Sequence, residues 1–124
     1  MQAVMAIERK LGYLPTDVSA KKCGYDVESE IPKEKRAGDG GCLRFLEVKG
    51  RTKGATTVTV SKNEILTGLN RPEEFILAIV EVDGQKTRTV YLKRPFKNAP
   101  DFTATSVNYD IMDLIRNAEI VYQE

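Results

Sequence analysis

The 124-residue chain has no histidine and only two cysteines, and each shortage closes off a class of chemistry. Without an imidazole there can be no Ser-His-Asp triad, no His-Cys zinc site, no HExxH peptidase and no His-dependent nuclease. Two thiols cannot assemble a four-ligand structural zinc site either. Long apolar runs are also missing. The longest, residues 75–80, has the length of a buried strand and falls far short of the ~18 residues that span a bilayer. The N-terminus shows no long apolar stretch after a basic start, so no secretory signal or membrane association is expected. A cytoplasmic protein with Cys23 and Cys42 reduced is the expectation that follows. An excess of one charge is missing as well. With 19 basic against 18 acidic residues, the chain is no polycation built to coat nucleic acid or an anionic membrane. Any such contact must come from a local patch.

What is present is enough for one buried core: 41% hydrophobic and 30% charged residues in a chain of single-domain length, read as one domain over 1–124. The chain starts directly in a helical pattern and ends soon after another, as a domain excised from a longer protein would. Val4, Ile7 and Leu11 recur at helical spacing before Gly12, which predicts a helix over 3–11, with Glu8 toward its apolar stripe. Residues 15–20 read as a loop in which Asp17 or Ser19 caps a short turn. From Gly24 the pattern alternates, Tyr25 and Val27 against Asp26 and Glu28, which predicts a strand.

Residues 31–41 read as a flexible hairpin connection, 43–49 as the second strand, 50–54 as a turn and 56–60 as a third, β-branched strand. Ser61 and Glu64 form an S-x-x-E capping box that starts a helix running to about 69. The apolar segment 75–82 reads as a strand covered on both faces, and 87–92 as its return after an Asp-Gly turn. Residues 103–107 suggest a short edge strand and 110–118 a last amphipathic helix. The fold class is α/β: a central mixed sheet flanked by helices, in the order α-β-β-β-α-β with an added strand and a C-terminal helix.

The chemistry-bearing constellation is Asp26 on the first predicted strand with Glu47 and Lys49 on the second. A strand has a period of two, so Glu47 and Lys49 share a face with Phe45 while Val48 turns away. With the two strands antiparallel neighbours, Asp26 can join them. Two carboxylates near the Val48 carbonyl make an oxygen-only site suited to Mg2+ or Mn2+. A lysine beside it can orient or deprotonate an attacking water or stabilise charge on a scissile phosphate. The competing reading is a solvated strand face with a cross-strand ion pair, which contributes about 0.2 to 1 kcal/mol. E-x-K alone is a weak signal: Glu8-Arg9-Lys10 matches it too, on a helix where residues two apart do not face each other.

The set Gly24-Tyr25-Asp26 and Glu47-Val48-Lys49, within that element order, resembles the PD-(D/E)XK nuclease superfamily. Segments 23–29, 43–51 and 57–66 more narrowly resemble the domain named after the C-terminal part of the plant protein NO VEIN, and the likeness covers about 4–82. The resemblance implies a restriction endonuclease-like fold and magnesium-dependent DNA cleavage. Asp26 and Glu47 would be metal ligands, Lys49 the catalytic lysine and Glu8 a first-helix acid reaching the site. Tyr25 stands where many members carry proline. Helicase or methyltransferase modules would be neighbours in a restriction or defence protein, and cutting both strands would call for a homodimer. A non-catalytic docking module of the same fold is the alternative reading.

Arg44, Arg51, Lys53 and Lys62 lie near the proposed site in sequence and would supply the local basic patch, with Lys62 and Asn63 at a helix start able to meet phosphate. For each basic residue singly, a solubilising surface role is the simpler reading. The capping residues Ser61 and Glu64 are given no catalytic role. Neither cysteine has a partner base to make it a nucleophile.

Overall fold

The computed structural model describes residues 1–36, 38 and 41–124. Helix α1 (Gln2–Lys10) sets Val4, Ile7 and Glu8 on its buried side and ends where Gly12 takes a left-handed φ of 90°. The chain then forms β1 (Leu14–Asp17), a 3-10 turn at Ser19–Lys21, β2 (Val27–Glu30), a second 3-10 turn at Lys33–Lys35, β3 (Leu43–Thr52) and β4 (Thr57–Ser61). Helix α2 (Lys62–Asn70), β5 (Phe75–Asp83), β6 (Lys86–Lys93), β7 (Ser106–Asp110), α3 (Ile111–Asn117) and β8 (Glu119–Gln123) complete it.

The central sheet has six strands in the order β1-β2-β3-β5-β6-β8, mixed because β3 and β5 are parallel while the other pairs are antiparallel. Strand β5 lies inside the sheet, and residues 75–80 are all buried, so both of its faces are covered as the unbroken apolar run predicts. Alternate residues feed two cores. Val27, Leu46, Ala78, Val80 and Tyr91 meet Val4, Met5 and Ile7 of α1 on one face. Phe75, Leu77, Ile79 and Leu92 meet Val58, Val60, Ile65, Phe96 and Leu114 on the other. Gly68 lets α2 sit close to the sheet: a Cβ there would come within 3.1 Å of the Phe75 ring of β5 and 2.9 Å of the Phe96 ring.

The element order read from the sequence is present, with differences among the strands; the first predicted strand begins at Val27 rather than Gly24, so Asp26 precedes it. Residues 15–17, expected as loop, belong to β1, an edge strand paired with β2; an edge tolerates Pro15, which has no N–H to donate. The expected cap is there, since the Asp17 carboxylate accepts from the Ser19 N–H at 2.9 Å. The turn expected at 50–54 begins later because β3 continues to Thr52 along its parallel partner, pairing Arg51 with Glu81 and Thr52 with Val82.

The third predicted strand is real but leaves the central sheet. β4 pairs with β7 in a two-stranded sheet, because β5 takes the place beside β3 and the buried Val58 and Val60 pack across the α2 face instead. β7 therefore lies at 106–110 rather than 103–107, and β8, which was not expected, closes the sheet against β6. The hairpin between β2 and β3 is antiparallel as expected; Ala37, Asp39 and Gly40 of its connection lie outside the described residues. Cys23 and Cys42 are free and exposed. No helix among the described residues is long and apolar enough to cross a membrane.

Candidate active site

On the α2 face of β3, strand alternation presents Phe45, Glu47 and Lys49 in a row, and α2 begins directly over the last two. Ser61 caps the helix by accepting from the Glu64 N–H at 3.2 Å, and the Glu64 carboxylate reaches back to the Ser61 N–H at 2.9 Å. That reach carries Glu64 to the sheet. Its Oε1 also accepts from the Lys49 Nζ at 2.8 Å, and the same ammonium stands 3.1 Å from Glu47 Oε2. Two glutamates thus share one lysine.

Asp26 enters from just before β2. The chain reaches it through Gly24, whose φ of 94° and close approach to Thr67 of α2 leave no room for a Cβ. The Asp26 N–H donates to the Leu46 carbonyl at 2.9 Å, and its carboxylate accepts from the Val48 N–H at 2.9 Å. In a strand the N–H and C=O of one residue point to the same side, which leaves the Val48 carbonyl on the Asp26 side of β3. Asp26, Glu47 and Glu64 line one small pocket of about 240 Å³, with Ser19, Lys22, Gly24, Tyr25, Ser61 and Asn63 around it. Tyr25, which lines the pocket, stacks on Phe45 with ring centres 4.5 Å apart.

The charges in this cluster are divided unequally. Glu47 is only 2% exposed, and its Oε1 is buried with no hydrogen-bond partner. Burial, hydrogen bonding with Glu64 and the negative charges of Glu64 and Asp26 push the Glu47 carboxyl up to about 9, against the pull of Lys49. Burial opposes the charge on Lys49, but Glu64 and Glu47 outweigh it and hold the ammonium above its ordinary value. Burial also works against Glu64, yet its bonds to Glu47, Lys49 and the Ser61 N–H carry it below the usual carboxylate range. At neutral pH the ion pair is therefore Lys49 with Glu64, and Glu47 carries a proton.

Glu8 does not join these groups. It lies on the opposite face of the sheet, fully buried, where both of its oxygens accept from the Arg44 guanidinium at 3.0 and 3.1 Å and one accepts from the Tyr91 hydroxyl at 2.9 Å. Burial and the Glu8 charge push the Tyr91 phenol upward, so it stays a donor. Arg44 also lies against the Tyr13 ring, 4.4 Å from its centre. The apolar stripe of α1 directs Glu8 inward as expected, but toward the far side of β3.

The basic residues scatter as well. Arg51, at the far end of β3, is exposed and lines a separate groove with Ile79, Val90 and Met112. Lys53 stands 3.5 Å from Asp83 on the surface. Lys62 folds back to the Phe102 carbonyl at 3.0 Å and lies over the Phe102 ring. Of Arg44, Arg51, Lys53, Lys62 and Asn63, expected near phosphate, Asn63 alone lines the pocket, Arg44 being turned to Glu8 on the opposite face. Lys22 and Ser19, which sequence reasoning passed over, line it too. Glu64 is the other residue missed; its capping motif was visible, but the reach from the cap to Lys49 had no sequence signal.

As a metal site the pocket offers hard oxygen donors and one orphaned carboxylate oxygen, which suits Mg2+ or Mn2+ held by one or two carboxylates, with waters filling the remaining positions. Among the described residues, no three aspartate, glutamate or cysteine side chains converge on one metal-sized position. A family model described as "Protein NO VEIN, C-terminal" matches residues 1–92. No curated protein matches the chain.

Proposed function

The chain belongs to the NO VEIN C-terminal family, and from that premise we propose that it is a metal-dependent, nuclease-like domain of PD-(D/E)XK type that hydrolyses DNA phosphodiester bonds in a restriction or defence setting. The observation that carries this reading is the orphaned, buried Oε1 of Glu47 beside Lys49 in a pocket shared with Asp26. A buried carboxyl oxygen without a partner costs about 1–3 kcal/mol, a cost that a bound cation would offset. Asp26 and Glu47 would hold Mg2+ or Mn2+, with the Val48 carbonyl on the same side of the strand. Once bound, the ion would supply neutralisation of phosphate charge and a more acidic water.

The protein's own groups would do the rest. Glu47 must release its proton to bind the cation, so binding strengthens as pH rises toward about 9. Lys49, held charged, would stabilise negative charge on the phosphate rather than accept a proton. Lys22 and Asn63 at the pocket mouth would meet flanking phosphates. The balanced net charge of +1 favours delivery to DNA by attached helicase or methyltransferase modules, and a homodimer would allow both strands to be cut.

Plasmid DNA incubated with Mg2+ or Mn2+ is expected to be nicked or linearised by the wild type and left intact by Glu47→Ala. Equal cleavage by both proteins would sink the proposal. A second reading, a non-catalytic nucleic-acid or protein docking module, is favoured by one observation: the Asp26 carboxylate is already engaged by the Val48 N–H. Calorimetry separates the two readings. Carboxylate-dependent binding of Mn2+ supports the nuclease, whereas DNA or partner binding with no metal binding supports the docking module.

A further inference from the structure

We propose that Glu64, besides capping α2, is the positioning residue for Lys49: its carboxylate anchors the ammonium to the first turn of α2, so that Lys49 keeps its place when a cation takes the Glu47 oxygens. A single oxygen, Oε1, accepts both the Lys49 Nζ at 2.8 Å and the Ser61 N–H at 2.9 Å. The lysine head is thereby fastened to the first turn of α2 and not only to its own strand. Lysine has a long, flexible stem whose ordering costs conformational entropy, so a fixed position needs an anchor. Glu47 is a poor anchor, because the cation that needs its oxygens would take the 3.1 Å contact away. Glu64 does not face that conflict. Its backbone sits at the third position of the helix, where the capping box fixes it from both ends. Because Glu64 shares the ammonium, Glu47 can give up its 3.1 Å contact with Lys49 to a cation.

The capping motif accepts glutamine as well as glutamate at this position, so Glu64→Gln separates the two duties. It keeps the cap and removes the charge that holds Lys49. The expected result is an unfolding midpoint within a degree or two of wild type. The Lys49 ammonium should lose order by nitrogen-15 relaxation, becoming as mobile as exposed lysines such as Lys86. Affinity for Mn2+ should fall severalfold as the freed ammonium turns to Glu47. In the cleavage assay kcat should fall roughly tenfold with KM little changed, as loss of a group aimed at developing charge does. Ser61→Ala is the companion variant. It weakens the cap and should leave Lys49 ordered.

An unchanged Lys49 order parameter in Glu64→Gln would overturn the proposal. So would equal loss of order in Ser61→Ala, which would make the effect a consequence of helix fraying. The consequence for kcat rests on the nuclease reading above, but the ordering of Lys49 does not. Failure of cleavage in the wild type would strike the nuclease reading while leaving the lysine measurement to decide this one.

Discussion

The two faces of the sheet each bury a glutamate against a basic side chain of β3, and the two sites are built to opposite specifications. On the α1 face, Glu8 is saturated: Arg44 takes both oxygens in a fork, and Tyr91 donates a further bond. On the α2 face, Glu47 shares Lys49 with Glu64 and keeps one oxygen without a partner. The first arrangement has nothing left to bind and ties α1 to β3 and β6. The second retains an unmet demand beside a pocket, and a buried polar atom left unsatisfied in a folded protein calls for an explanation that structural support alone does not supply. Completeness of hydrogen bonding, rather than burial, is what distinguishes the two glutamates.

The largest test of this contrast is to break the saturated site. Arg44→Met leaves the Glu8 charge buried and uncompensated, and it should cost about 3–5 kcal/mol of stability in urea unfolding. The double variant Glu8→Gln/Arg44→Met should recover a large part of that loss, because no lone charge remains. Binding of Mn2+ by the folded fraction should be unchanged. A fall in metal affinity in proportion to stability would show that the two faces are one unit.

Glu47→Gln is expected to act in the reverse sense, lowering Mn2+ affinity by at least about tenfold without loss of fold. The folded Glu47 carboxyl lies near 9 against an ordinary 4.5, so between those pH values the native state holds a proton that the unfolded chain has released. Its contribution to stability is full below 4.5 and is lost as pH rises toward 9. Glutamine does not titrate. In chelator, the variant should therefore gain on wild type as pH increases, by about 2 kcal/mol at the upper end once relaxation of the buried site is allowed for. Parallel stability-pH curves for the two proteins would show that Glu47 is charged and paired like Glu8.

The smallest effect is expected away from both faces. Lys53 and Asp83 are well exposed at 3.5 Å, and Lys53→Ala should change the unfolding free energy by less than about 0.5 kcal/mol. A larger loss would place Lys53 in a network that the two-face comparison leaves out.

Several of these features are legible in the order of residues alone. The pairing of Glu47 with Lys49 on one face follows from alternation along a single strand, and the Ser61-Glu64 cap follows from local spacing. The buried run 75–80 likewise announces an interior strand. Less visible is β1, since Pro15 in a short polar segment reads as loop and becomes a strand only because β2 offers it an edge. The departure of β4 to pair with β7 is hidden because its alternating valines suit either sheet. Arg51, Lys53 and Lys62 are close to the pocket along the chain, but β3 runs on to Thr52 and carries the first two away from it.

The sequence by itself determined what covalent geometry and local hydrogen bonding impose: the faces of each strand, the helix that Ser61 begins, and a set of reactive groups that includes no imidazole. The tertiary structure alone decided which carboxylates meet. An apolar stripe tells a helix which side to bury but not which layer it will cover, so Glu8 could be aimed inward and still arrive on the far face. Glu64, read as nothing more than a cap, reaches Lys49 because the crossover from β3 through β4 sets the start of α2 over that strand. Those contacts depend on segments distant along the chain packing against one sheet, and no spacing within a single segment encodes them.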